Sequence, residues 1–163
     1  MTDIKQLNKE VKSRYPGYRQ YNKHLVEIKQ SSITGAGLGL FAIADIPKDT
    51  IIDIYHGKRL TKKEYGDIDG EKTMYIMEIN RNLYIDASID GGIISFTNDA
   101  RGLNRTPGVR NNCYFELAED GKEMYMKTSK NIKAGNELFT FYGTSYWNTV
   151  KYFVKEGLLT FWL

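Results

Sequence analysis

The chain has 163 residues, 41% of them hydrophobic and 13% aromatic, which is the composition of one folded domain and excludes a disordered tract. A single cysteine, Cys113, rules out an intramolecular disulfide, and with only His24 and His56 beside it no metal cluster is expected. The net charge of +3 is unevenly placed: residues 1–24 hold six basic residues against two acidic ones, and the remainder holds 17 against 18.

The N-terminal MTDIKQLNKEVKSRY lacks an apolar secretory core. No apolar run reaches the roughly 18 residues that span a bilayer, so an intracellular protein with no membrane contact is expected. Within this stretch, Ile4, Leu7 and Val11 fall on one side of a short helix over 3–13 that ends near Pro16-Gly17. The basic arm, with Tyr15, Tyr18 and Tyr21 interleaved, has the chemistry for a weak nucleic-acid contact. A solvated helix face followed by a linker accounts for the same residues more simply.

From Leu25 onward the pattern is one of short strands. LVEIK alternates, LGLFAIADI is apolar up to Pro47, and TIIDIY is isoleucine-rich. YIMEI and LYIDA flank a turn at Asn80-Arg81-Asn82 and predict a hairpin. GGIISFT reads as a further strand. CYFELA and EMYMKT flank Glu119-Asp120-Gly121, and LFTFY follows. A terminal segment beginning at Tyr146 places Tyr146, Val150, Phe153 and Val154 on one helical face. The expected fold is mainly β, with several small sheets and short helices at both ends.

GAGLGLFA suggests a dinucleotide loop at first sight. The spacing is GxGxG, however, and a strand-like run follows where a helix N-terminus would have to hold pyrophosphate. Alone, it reads equally as a glycine-rich turn. GAGLGLFA is followed in order by IPKDTIIDIYHG, LYIDAS, ISFTND, NNCYF and NIKAGNELFTFYG. This collinear set resembles the SET domain of protein-lysine methyltransferases, across about residues 25–147.

The resemblance implies a fold with knot-like C-terminal threading, S-adenosylmethionine as cofactor and a protein lysine as substrate. It divides the chain into a basic arm (1–24), the SET domain (25–147) and a segment completing the lysine channel (148–163). Ala36, Gly37, Leu38 and Gly39 would contact the methionine part of the cofactor. Asn98 would hydrogen-bond the cofactor, with Asp99 and Trp147 at the adenine. Trp147 reads equally as an anchor for the terminal segment. Tyr142 and Tyr55 match the family's active-site tyrosines, with Tyr142 also against the cofactor. The position that sets how many methyl groups are added falls at Thr140 or Phe115, and Phe115 is the better wall for a channel.

Such chemistry needs no metal and no strong base. Transfer from a sulfonium to an amine is a single displacement that depends on alignment. The amine must be neutral, which at pH 7 holds for only about one free lysine in a few thousand, so an apolar channel and a nearby positive sulfonium are needed to lower its pKa.

The sequence also departs from the family pattern. Asn98 and Asn112 are 14 positions apart where N-H-S-C-x-P-N closes in six, an insertion of eight carrying Arg101, Arg105 and Arg110. Asp99 replaces the histidine, Asn136 a glutamate and Phe141 the aspartate before Tyr142. These changes raise the alternative of a catalytically weakened SET-like module that binds chromatin or protein.

The family's substrate mode is a basic peptide laid on a strand edge, a histone tail being the leading candidate, which would place the protein in the nucleus. Two acidic clusters, Glu64/Asp67/Asp69/Glu71 and Glu116/Glu119/Asp120/Glu123, could face it or simply be solvated.

Overall fold

The computed structural model describes residues 3–15 and 21–159, the Glu71 side chain excepted. Pro16-Gly17, Tyr18, Arg19 and residues 160–163 lie outside the described residues.

Helix α1 (Ile4–Ser13) starts at Asp3, whose carboxylate accepts the Lys5 and Gln6 amide N–H groups at the N-terminus. Val11 is buried, and Ile4 and Leu7 pack on the same core. Asn8 fixes the helix to strand β1 (Val26–Gln30) by donating to the Ile28 carbonyl at 3.0 Å and accepting its N–H at 2.7 Å. The arm's cations are partly used internally. Arg14 donates to the Gly91 carbonyl and pairs with Glu10, and the buried Lys23 donates to the Tyr15 carbonyl.

Three small antiparallel sheets follow. The first orders β1, β2 (Leu38–Ala42) and β9 (Glu137–Leu138), with Val26 opposite Ala42 and Leu40 opposite Leu138. The second orders β3 (Ile51–Ile54), β8 (Met124–Thr128) and β7 (Cys113–Leu117). The third orders β4 (Lys58–Thr61), β6 (Leu83–Asp86) and β5 (Ile76–Asn80), so β4 and β5 are edges. The expected hairpin forms as β5–β6, and the two segments flanking Glu119-Asp120-Gly121 pair as a second, β7–β8. Val26, Ile28, Leu40, Ile52, Met126 and Leu138, each essentially without exposed surface, make the main core between sheets.

GGIISFT is not a strand. Ile93–Phe96 is a 3-10 turn, and Ile93 and Ile94 are both buried in the core. An unbroken apolar run reads alike for a buried strand or a buried turn. LGLFAIADI stops as a strand at Ala42, and Ile46 continues only as an isolated bridge to Ile132. LFTFY keeps one strand residue, Leu138, and an isolated bridge at Phe139, and then runs as irregular backbone.

That irregular run carries the threading. The Thr140 N–H donates to the Asn98 carbonyl on one side, while the Phe139 carbonyl accepts the Asn112 and Cys113 N–H groups on the other. Phe139 N–H donates to the Asn112 side-chain oxygen at 2.8 Å. The C-terminal strand thus lies between the two ends of the 98–112 loop. Helix α3 (Thr144–Lys155) then packs Trp147 and Val150, with Tyr146, Phe153 and Val154, on a cluster that includes Met74 and Leu103.

Candidate active site

The glycine turn, the 98–112 loop and the bracketed C-terminal run meet at a cavity of about 790 Å³. That volume falls within the roughly 300–1,000 Å³ of small-molecule sites. Ala36, Gly37, Leu38, Tyr55, Asn98, Phe115 and Tyr142 all line it, although they are spread over more than a hundred positions of sequence. Backbone chirality shapes one wall: Gly35 and Gly37 have φ of 79° and 69°, a region that favours glycine, and no atom lies within 4 Å of where a Gly37 Cβ would stand.

Two tyrosine hydroxyls define the floor. Tyr55 donates to the Tyr75 carbonyl at 2.9 Å and Tyr142 to the Thr97 carbonyl at 2.7 Å. Each hydroxyl has one hydrogen, so donating it inward leaves the oxygen as an acceptor. Burial pushes both phenols well above the ordinary tyrosine range, with nearby Tyr146 adding to the shift. They are therefore neutral acceptors and not bases at physiological pH. Phe115 meets Tyr55 edge-on at 5.9 Å, and Tyr146 meets Tyr142 at 4.8 Å in the same geometry.

Asn98 is fixed from behind. Its amide nitrogen donates to the Leu38 carbonyl at 2.9 Å and to Glu137 at 3.3 Å, so the amide oxygen is the group left for the cavity. The buried Glu137 carboxylate also accepts the Ser31 and Ser32 hydroxyls and the Ser32 N–H. It ties the glycine turn to Asn98 and β9. Gly39 lies outside the cavity lining, because its Cα faces this carboxylate: a Cβ there would stand 2.1 Å from Glu137 Oε1.

Asp99 is buried and fully used by the protein. One carboxylate oxygen accepts the Arg101 N–H and the Asn111 side-chain amide, the other the Tyr142 N–H and the Trp147 indole N–H at 2.8 Å. It is a positioning residue, joining both ends of the inserted loop to Tyr142 and α3. Trp147 anchors the terminal helix, and it also borders a narrow cleft. It is buried in the α3 cluster with its ring parallel to Tyr142 at 5.9 Å, and it lines a narrow cleft beside Ala36, Asn98, Asp99 and Tyr142. A Gly102 Cβ would stand 2.7 Å from the Trp147 ring, so the loop lies directly on it.

Thr140 is buried and absent from both linings, whereas Phe115 lines the cavity. Phe96, Tyr146 and Glu137 are the residues that sequence reasoning passed over. ISFTN and NELF, both quoted for the resemblance, contain two of them. Among the described residues, no group of three or more His, Cys, Asp or Glu could hold a metal ion, and no helix is long and apolar enough to cross a membrane.

The acidic clusters are largely engaged locally. Glu64 caps α2 (Lys62–Gly66) through Thr61, and Asp69 lies 3.6 Å from Lys72. Glu116 pairs with Lys127 at 2.8 Å, and Glu123 lies 3.9 Å from Arg59.

The SET domain profile matches residues 37–143, from the glycine turn to the Tyr142-Gly143 end. The chain belongs to the SET-domain family. It is 30% identical over 110 residues to a Schizosaccharomyces pombe histone-lysine N-methyltransferase named as specific for lysine-36 of histone H3. It is 27% identical over 143 residues to the histone-lysine N-methyltransferase EZH2 of Chaetomium thermophilum, and 25% over 127 residues to SETD7 of Halocynthia roretzi. These alignments cover 63%, 81% and 75% of this chain but span only 13%, 9% and 32% of the relatives. In three dimensions it resembles a humanized mutant of the Chaetomium thermophilum Polycomb Repressive Complex 2 bound to the inhibitor GSK126. The TM-score is 0.63 at 23% identity, over 77% of this chain and 16% of that one, a likeness of fold.

Proposed function

We propose that this chain methylates a protein lysine on a histone tail, with S-adenosylmethionine as methyl donor. The observation that carries the proposal is the convergence of Tyr55, Tyr142, Phe115, Asn98 and Ala36–Leu38 on one cavity whose two tyrosine hydroxyls present acceptor oxygens. The relatives are named histone-lysine N-methyltransferases, which supports the substrate class. A histone substrate would place the protein at chromatin.

The residues fit the donor. The open glycine wall at Ala36–Leu38 admits close backbone approach, and the Asn98 amide oxygen can accept from an ammonium. The adjoining cleft between Trp147 and the 99–104 loop has only about 10 Å³ of free space, so a flat base would enter it only if Trp147 and the loop part. S-adenosylmethionine would supply an electrophilic methyl group on a sulfonium. Tyr55 and Tyr142 orient the lysine by accepting its N–H groups, and their aromatic neighbours exclude water and disfavour the charged ammonium. Among the described residues, Glu78 is the one carboxylate in the lining.

Asp99, whose replacement of a histidine suggested a weakened module, instead anchors Tyr142 and Trp147 through its carboxylate. Calorimetric titration with S-adenosylmethionine tests the proposal. Binding is expected, unaffected by chelators, and Asn98→Ala weakens it by about 1–3 kcal/mol. A folded chain that binds none contradicts the reading; unchanged affinity in Asn98→Ala removes Asn98 from the site.

A further inference from the structure

We propose that Glu78 is a recognition site for a basic side chain, and that substrates of this chain carry an arginine or second lysine within about four residues of the target lysine. The proposal rests on the methyl-transfer reading above and names the substrate class within it.

Among the described residues, Glu78 is the sole charged side chain lining the cavity. It is exposed, and among the described residues no hydrogen bond or ion pair occupies its carboxylate, in contrast to those of Glu64, Glu116 and Glu123. A free carboxylate in an otherwise uncharged wall is a specific feature, because it gives the cavity a negative end without serving the fold.

Its surroundings suit a guanidinium. Glu78 pairs across the sheet with Tyr84, so the two share a face of the sheet, and Tyr84 stacks on Tyr65 at 4.2 Å with rings 4° from parallel. Tyr65 also lines the cavity. An aromatic plate beside a carboxylate offers stacking and a charge-assisted hydrogen bond to one planar cation. Among the described residues β5 pairs only with β6, which leaves its outer edge for an extended peptide. Tyr75, whose carbonyl accepts the Tyr55 hydroxyl, lies three positions before Glu78. At strand rise the carboxylate is about 10 Å from the tyrosine, the span of about three peptide residues.

The test is an arginine scan. Peptides with one central lysine in alanine flanks, carrying arginine or glutamate at each flanking position in turn, are compared by kcat/KM and by fluorescence-anisotropy binding. Arginine at one or two adjacent positions should improve both by about tenfold over alanine, and glutamate there should lower them. The preference should shrink as salt rises. Glu78→Gln should abolish the arginine-to-glutamate ratio, and Glu78→Lys should invert it. A flat scan, or a preference that survives Glu78→Lys, overturns the proposal while leaving lysine methylation intact. Selective binding without methylation of any peptide keeps this recognition and sinks the methyl-transfer reading.

Discussion

At the scale of single residues, the geometry of the site is set by hydrogen bonds at a few atoms. Tyr55 and Tyr142 each have their one hydrogen committed to a backbone carbonyl, which fixes the oxygen lone pairs toward the cavity. Phe115 stands against Tyr55 without a hydroxyl of its own, so nothing at that ring anchors a water that would block a turned amine. Di- or trimethyl-lysine is therefore the expected end product. Phe115→Tyr should shift it toward monomethyl-lysine with little loss of the first transfer. Time-resolved mass spectrometry of a peptide substrate checks this, and a wild-type enzyme that stops at one methyl group contradicts it. The tyrosines and Asn98 were legible in the sequence because the resemblance matched them one by one. The role of Asp99 in anchoring Tyr142 and Trp147 was not legible. Its partners Tyr142 and Trp147 lie 43 and 48 positions away, and no local pattern reveals such a pairing.

At the scale of elements, the glycine turn, β9 and Asn98 form one unit held by Glu137. Gly39→Ala would push a methyl into that carboxylate, which three donors on Ser31 and Ser32 already restrain. A loss of about 1–3 kcal/mol in urea denaturation is expected; an unchanged midpoint would show that Glu137 can move freely. The hairpins were readable because alternation and turn residues are local signals. β4, KRLT, was not: three of its four residues are exposed, so it lacks an apolar stripe and takes its strand form from pairing with β6. Ile93–Phe96 failed for the opposite reason, burial of consecutive residues that erases any period.

Across the whole molecule, the threading concentrates neutral protonated groups in the interior. Burial raises Tyr55, Tyr142 and Tyr146, and pushes the Cys113 thiol up to about 12. A raised folded pKa means that the folded chain keeps protons which the unfolded chain releases near the ordinary thiol and phenol values. Stability is then complete below about pH 8 and falls as pH rises beyond it, by up to about 1.4 kcal/mol per pH unit for each such group. Urea midpoints at about pH 7, 8 and 10.5 should be level over the first interval and drop over the second; a rise over the second would reverse the assignment.

The central claim is that the cavity bounded by Tyr55 and Tyr142 moves a methyl group onto a protein lysine. Its most direct test is transfer of labelled methyl from S-adenosylmethionine to mixed core histones, with mass spectrometry locating the label. The account predicts label on lysine, and a fall of at least about 10²-fold in Tyr142→Phe, the scale for loss of one positioned polar group, with cofactor affinity retained. No label on any histone lysine, or a Tyr142→Phe rate within a factor of about three of wild type, would contradict it.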